Sequence, residues 1–207
     1  MTKHDSEKAD VRQRLLEVAA PLFTALPYHK VSTRMIAERA QSNIGMIHYY
    51  FGNKAGLFEA ICKQFIDKMA EQMEQFASDA SVEGLGDIIA TYYQTMAPLP
   101  AFPKLIQRAM SSPEDDPTRQ IIQRLFEQVH GTFDKKISEA IPKANLREGL
   151  DPELVRLTVI SLMVFPFLIP PAMLQIQGLT LNEQFLERLA KHNKDLITHG
   201  FSETTSA

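Results

Sequence analysis

From Lys8 to Leu26 the apolar residues Val11, Leu15, Leu16, Val18, Ala19, Leu22 and Phe23 fall on one side of a helix, with Arg12 and Arg14 outside. Pro21 lies within the stripe and predicts a bend or tightened last turns, because it removes an amide; Pro27 ends the helix. Residues 1–7 are polar and predict a frayed start. Two shorter segments follow. In the first, Met35, Ile36 and Ala40 share a face, and Ser32 or Thr33 offers an oxygen to the unpaired amides of the first turn. Gln41-Ser42-Asn43 reads as a polar turn. Asn43 is placed to cap a second helix, Ile44 to Tyr50, with Ile47 and Phe51 inward. The pattern predicts a helix-turn-helix: one helix braces, and the next enters the major groove of DNA by its N-terminal residues.

Beyond this pair, Gly52-Asn53-Lys54 is a turn, and Asn53 is a suitable N-cap for a long helix from Lys54 to about Ser78. Its inward side is Leu57, Phe58, Ile61, Phe65, Met69, Met73 and Phe76. After a break at Ser81–Gly84, Leu85, Ile88, Ile89, Tyr92, Tyr93 and Met96 mark another helix. Pro98, Pro100 and Pro103 end it and space out a short segment, Lys104 to Met110. An acidic loop, Pro113–Pro117, leads to a helix over 118–140, and 141–150 form a loop. Asp151-Pro152 is a strong helix start. Leu157 to Asn182 carries no charge, but Pro166, Pro170 and Pro171 interrupt it. A helix buried on most sides, in a core or an interface, is the better reading than a bilayer span. The last helix, Leu181 to about Thr198, has Phe185, Leu186, Leu189, Leu196 and Ile197. The fold expected is all-α: an N-terminal three-helix DNA-binding domain over 8–53, then a helical bundle over 54–201.

Charge sharpens this picture. The chain of 207 residues has a net charge of −3, which argues against a generic nucleic-acid binder. Residues 1–56, however, hold eight Lys/Arg against five Asp/Glu, and residues 57–207 hold fourteen against twenty. Positive charge gathers where the helix-turn-helix lies, and a local basic face is all that phosphate binding needs. The apolar content of 44% is that of a soluble globular protein. The single cysteine, Cys62, excludes a disulfide within one chain, fits a reducing cytoplasm, and reads as a buried small hydrophobe. The N-terminus has no apolar run, so no signal peptide is expected. No Gly-rich phosphate loop, Ser/His/Asp grouping or cysteine nucleophile context is visible; neither an enzyme nor a cofactor is expected. Glu127 and His130 stand at i, i+3, but carboxylate-bridged di-metal bundles need a second such pair and further glutamates. No metal is expected, and His130 reads as core or cavity lining.

The helix-turn-helix resembles the DNA-binding domain of the TetR family of bacterial transcriptional regulators. The matching letters are Ala19-Ala20 and Phe23, Ser32-Thr33, Ile36-Ala37, Ile44-Gly45-Met46-Ile47, Tyr49-Tyr50-Phe51, Asn53-Lys54 and Leu57-Phe58. Two departures concern the site: Gln41 stands where the turn usually has glycine, and His48 where the recognition helix usually has tyrosine. A third is Pro27, near the usual glycine after the first helix. The resemblance implies a dimer joined through the last two long helices, acting on a pseudo-palindromic double-stranded operator. It assigns Thr33, Lys54 and Tyr49 to phosphate. Asn43, Ile44, Gly45, Met46 and His48 lie towards the groove, with Arg34 on the outer face. A lysine at a helix N-terminus opposes the macrodipole, and a nearby phosphate relieves that. Gly45 lets the backbone approach closely. Asn43 has two readings, a base contact or the cap of its own helix.

The bundle is rich in aromatic and thioether side chains: Tyr92, Tyr93, Met96, Phe102, Met110, Phe126, His130, Phe133, Met163 and Phe167. Methionine fills irregular space and tolerates different guests. Together they suggest a cavity for a small hydrophobic effector, with Tyr92, Tyr93, Gln107, Arg108 and His130 as polar anchors. For any one of them ordinary core packing is the competing reading. The function expected is a ligand-responsive transcriptional regulator, a repressor released from its operator by the effector. The alternatives are an orphan DNA-binding protein whose bundle only dimerises, and a helical-bundle enzyme.

Overall fold

The computed structural model describes residues 3–76, 81–141 and 146–202, with side chains described at 10–71, 81–128, 141 and 146–202. These residues form ten α-helices: α1 (Lys3–Ala25), α2 (Thr33–Arg39), α3 (Ile44–Phe51), α4 (Lys54–Phe76), α5 (Val82–Met96), α6 (Phe102–Met110), α7 (Pro117–Ala140), α8 (Pro152–Leu168), α9 (Pro171–Ile176) and α10 (Glu183–Phe201). A 3-10 turn, Tyr28–Lys30, joins α1 to α2. No strand occurs among the described residues; Leu146 and Ser202 make one isolated bridge. The all-α expectation holds. Two details differ from the sequence reading. The first helix begins at Lys3, inside the stretch expected to fray, and α9 forms where only a proline-interrupted run was expected.

Capping oxygens set the starts. Ser32, Asn43, Asn53, Ser81 and Asn182 each accept from the backbone amide three residues on, at 2.9–3.1 Å. Asp151 accepts from Glu153 N at 2.8 Å, and Asp116 caps α7 through Thr118 N at 2.8 Å. Bonds from Thr118 hold the Asp116 carboxyl below its ordinary pKa.

The chain divides into two compact units. One comprises residues 1–66 and 104–126. Its core includes Leu15, Leu16, Phe23, Ile36, Ile47, Leu57, Phe58, Leu105 and Ile122. Cys62 is fully enclosed, as expected, and burial pushes its thiol well up, so it is an inert core residue.

The second unit comprises residues 67–103 and 127–207. Here α5 packs along α10 and against α8. At Gly86 a Cβ would meet Lys194 Cα at 3.0 Å, so glycine is what lets the two backbones come this close. Beside it Lys194 Nζ donates to Asp87 at 2.6 Å. Pro166 lies inside α8 and has no amide to donate to the Leu162 carbonyl one turn back. The Tyr93 hydroxyl donates to that carbonyl at 2.6 Å and accepts from Asn193 Nδ2 at 2.9 Å. One defect in α8 is thus filled by side chains from α5 and α10.

In the single chain α8 is not buried on most sides. Leu154, Leu157 and Phe165 are each about 60% exposed, and Met173 and Ile176 of α9 and Leu196 of α10 are exposed too. No described helix is long and apolar enough to cross a membrane.

Candidate nucleic-acid interface

α2 turns Ile36 and Ala37 inward and leaves Arg34, Glu38 and Arg39 outside; α3 turns in Ile47 and leaves Ile44, Gly45, His48 and Tyr49 outside. The turn between them is a left-handed helix stop. Gln41 has φ 49°, and Ser42 N donates to Ala37 O at 2.9 Å across it. A non-glycine residue there costs about 1–2 kcal/mol, the strain anticipated from the missing glycine.

On α3, Asn43 Oδ1 accepts from Met46 N at 3.1 Å, so its oxygen caps its own helix. A Cβ on Gly45 would stand 3.0 Å from that oxygen. Ile44, Gly45, His48 and Tyr49 are exposed, Tyr49 to 66%, and Met46 is half-buried. The His48 Nδ1 lies 2.8 Å from Gly52 O. A carbonyl only accepts, so Nδ1 is the donor in this contact. On α2, Thr33 is half-buried beside the exposed Arg34, whose guanidinium pairs with Glu38 at 2.8 Å. Both side chains stay solvated, so the pair is weak and Arg34 exchanges partners readily. Arg12, left open between solvent and phosphate, lies over the Phe51 ring at 5.4 Å.

Lys54 has a second occupation that spacing did not reveal. Its ammonium donates to Tyr28 O at 3.0 Å and Val31 O at 2.9 Å, and stands 4.0 Å from the Tyr28 ring centroid. Desolvation lowers its pKa. Tyr28 in turn stacks on Phe23 and meets Phe58 edge-on. Lys54 therefore ties the 3-10 turn to the start of α4 and keeps one N–H for an outside acceptor. Replacing it with alanine takes the ammonium from the Val31 carbonyl and leaves the Tyr28 carbonyl with the Val31 amide at 3.2 Å. The expected result is a loss of about 1–3 kcal/mol in stability, read by urea unfolding. A salt slope of DNA binding lower by about one unit will accompany it if the third N–H reaches phosphate. An unchanged slope removes the phosphate role and leaves the tie.

Gly56, also unsuspected from sequence, sits in the first turn of α4, against the end of α3: a Cβ would lie 2.0 Å from the Phe51 carbonyl oxygen.

The residues expected around an effector separate. Tyr92, Tyr93, Met96, Met163 and Phe167 are buried together in the second unit, with Phe167 edge-on to both tyrosines at 5.7 Å. Gln107, Arg108 and Phe126 belong to the first unit. Gln107 is exposed and bonds Ser111 at 3.2 Å, while Arg108 donates to Phe23 O and Leu26 O. The side chains of His130 and Phe133 lie outside the described residues. A groove of about 250 Å³ opens elsewhere in the second unit, lined by Leu162, Phe165, Ile169, Leu174, Phe185 and Asn193 among others. Among the described residues, none of those expected around an effector lines it.

A capped pair of short helices with a left-handed stop, an exposed outer face and a cation-braced mount defines a helix-turn-helix. Residues 15–61 match the family described as bacterial regulatory proteins, tetR family. The match takes in the helix-turn-helix and the start of α4. Over 76 residues the chain is 32% identical to the probable HTH-type transcriptional regulator YttP of Bacillus subtilis (strain 168), a match covering 37% of each protein. The chain thus spans little more than a third of that relative. Over 154 residues it is 24% identical to the fatty acid metabolism regulator protein of the same organism, covering 72% of this chain and 78% of that one. Among solved structures, the transcriptional regulator FadR from Bacillus subtilis in complex with stearoyl-CoA superposes with a TM-score of 0.67 at 19% identity, covering 91% of this chain and 98% of that one. The last likeness is one of fold.

Proposed function

We propose that the chain is a cytoplasmic, ligand-responsive transcriptional regulator, a repressor that binds a pseudo-palindromic operator as a homodimer. The observation that carries the reading is the outward face of α3, with Ile44, Gly45, His48 and Tyr49 exposed on a capped helix. His48, Met46 and Gly45 face base edges; Tyr49, Thr33, Arg34 and the third N–H of Lys54 serve phosphates. Residues 8–53 act as the DNA-binding domain and 54–201 as the effector and dimerisation domain. The exposed stripe Leu154, Leu157 and Phe165 on α8, with Leu196 on α10, supports a two-fold contact between copies. Two recognition helices one DNA turn apart then engage two half-sites.

The effector is a small hydrophobic compound. Since a protein of this fold holds stearoyl-CoA, a long-chain acyl thioester is the first probe. The test is selection of duplexes from a random-sequence library, followed by titration with stearoyl-CoA. The expected result is an inverted-repeat sequence bound about a thousandfold more tightly than a scrambled duplex at physiological salt. Acyl-CoA that binds and releases this duplex supports the effector. Recovery of no sequence above non-specific binding overturns the regulator reading. Compounds that bind without lowering operator affinity overturn the coupling, by linkage, and leave the orphan DNA-binding protein.

A further inference from the structure

We propose that Arg108 is a positioning residue for operator recognition: without touching DNA, it holds the helix-turn-helix in the geometry that a specific site requires. This rests on the DNA-binding reading above.

α1 ends at Ala25, and the last carbonyls of a helix have no amide of their own helix to accept from. A cation at that end satisfies them and offsets the partial negative charge of the helix dipole. α1 has no basic residue in its last turn. The cation arrives from far along the chain. Arg108, in the last turn of α6, donates through Nη2 to Phe23 O at 2.7 Å and to Leu26 O at 3.0 Å. A second bond joins the same segment to the N-terminal helices, Arg124 Nη2 to Glu59 at 2.9 Å. Consistently, residues 104–126 fall in one compact unit with residues 1–66, although by sequence they belong to the bundle.

What Arg108 grips is the mount of the recognition helix. α1 packs on both α2 and α3. The Phe23 ring, whose own carbonyl Arg108 holds, is fully buried against Tyr28 and Phe58. Lys54 links the Tyr28 carbonyl to that of Val31, and Val31 directly precedes Ser32, the cap of α2. Hydrogen bonds and one ring stack, Phe23 on Tyr28, therefore run in sequence from α6 through the end of α1 to the first turn of α2. Specific binding depends on this alignment, because base-edge hydrogen bonds are short and directional. Non-specific binding rests on phosphate charge and depends on it far less. If loss of the grip leaves the competent arrangement populated about one-tenth of the time, the operator Kd rises about tenfold.

The experiment compares wild type, Arg108→Ala and Arg108→Lys on a duplex selected by the wild-type chain and on its scrambled counterpart, across a range of salt, with thermal unfolding of each protein. Arg108→Ala is expected to bind the selected duplex about tenfold more weakly, with scrambled-duplex affinity and the salt slope unchanged. Arg108→Lys, whose ammonium can serve two carbonyls as Lys54 does, is expected to return to within about threefold of wild type. Unchanged affinity of the alanine variant for the selected duplex overturns the inference. So does a salt slope lower by about one unit, which marks a direct phosphate contact. Equal losses on both duplexes with a lowered melting temperature reduce Arg108 to a stability residue and also overturn it. A wild-type chain that selects no duplex overturns the DNA reading itself, and this inference with it.

Discussion

Phe165→Glu is expected to yield a folded monomer that binds the selected operator at least a hundredfold more weakly than wild type. Phe165 is 61% exposed on α8, so the substitution disturbs little within one chain; surface changes of this kind usually stay within about 0.5 kcal/mol. In a two-fold dimer the same position is buried twice, and each copy brings a carboxylate into an apolar contact with no partner charge. The several kcal/mol of desolvation per ion is not recovered. A monomer engages one half-site, and losing the second removes an avidity of about 10²–10⁴. Sedimentation checks the oligomer and operator titration checks the affinity. A monomeric variant with undiminished operator affinity would falsify the dimer requirement, and a variant that stays dimeric moves the interface off this face.

The second large effect is at Gly56. Gly56→Ala is expected to lower the melting temperature by about 4–8 °C and to weaken operator binding at least tenfold. The new Cβ lies 2.0 Å from Phe51 O and 3.1 Å from Phe51 C, both backbone atoms at the end of α3. Carbon to oxygen contacts begin near 3.3 Å, so one helix has to move by more than about 1 Å. Overpacking of this kind costs about 1–3 kcal/mol, and each kcal/mol shifts melting by about 2–4 °C in a chain of this size. The helix that moves is the proposed recognition helix or the one that follows it. Gly200→Ala is the control: a Cβ there meets nothing within 4 Å, and alanine favours the helix. Equal melting points for the two variants would mean that the α3–α4 junction absorbs the methyl.

Local chemistry was legible in the sequence where the partners are neighbours. Ser32, Asn43, Asn53 and Asp151 announce their caps because a capping oxygen reaches only two or three residues ahead. The inward faces of α1 to α3 follow largely from spacing; in α4 Leu57, Phe58, Ile61 and Met69 are buried as expected, but Ile66 is buried where Phe65 was expected, and the side chains of Met73 and Phe76 lie outside the described residues. Bonds between distant residues were not legible. Lys54 looked like a phosphate contact because a cation at a helix start has no local partner; its carbonyls are 23 and 26 residues away. Arg108 looked like an effector anchor because nothing in its own helix accounts for it. Its partners are 82 and 85 residues back. α8 read as buried because a helix apolar on all sides does not say whether its cover is its own chain or another copy.

The hydroxyl–carbonyl–amide chain of Tyr93, Leu162 and Asn193 works as a key cut for one lock. Hydrocarbon faces of helices slide past one another at little cost, because one leucine contact replaces another. Moving α10 along α5 by a single turn, about 5.4 Å, takes the Asn193 amide out of reach of the Tyr93 hydroxyl. Shifting α8 withdraws the Leu162 carbonyl from the same hydroxyl, and the proline leaves no helical amide to take its place. Each polar group stranded this way costs about 1–3 kcal/mol. Three helices that could have met in several registers are thereby confined to one, and a proline that weakens α8 by itself is what makes the lock selective.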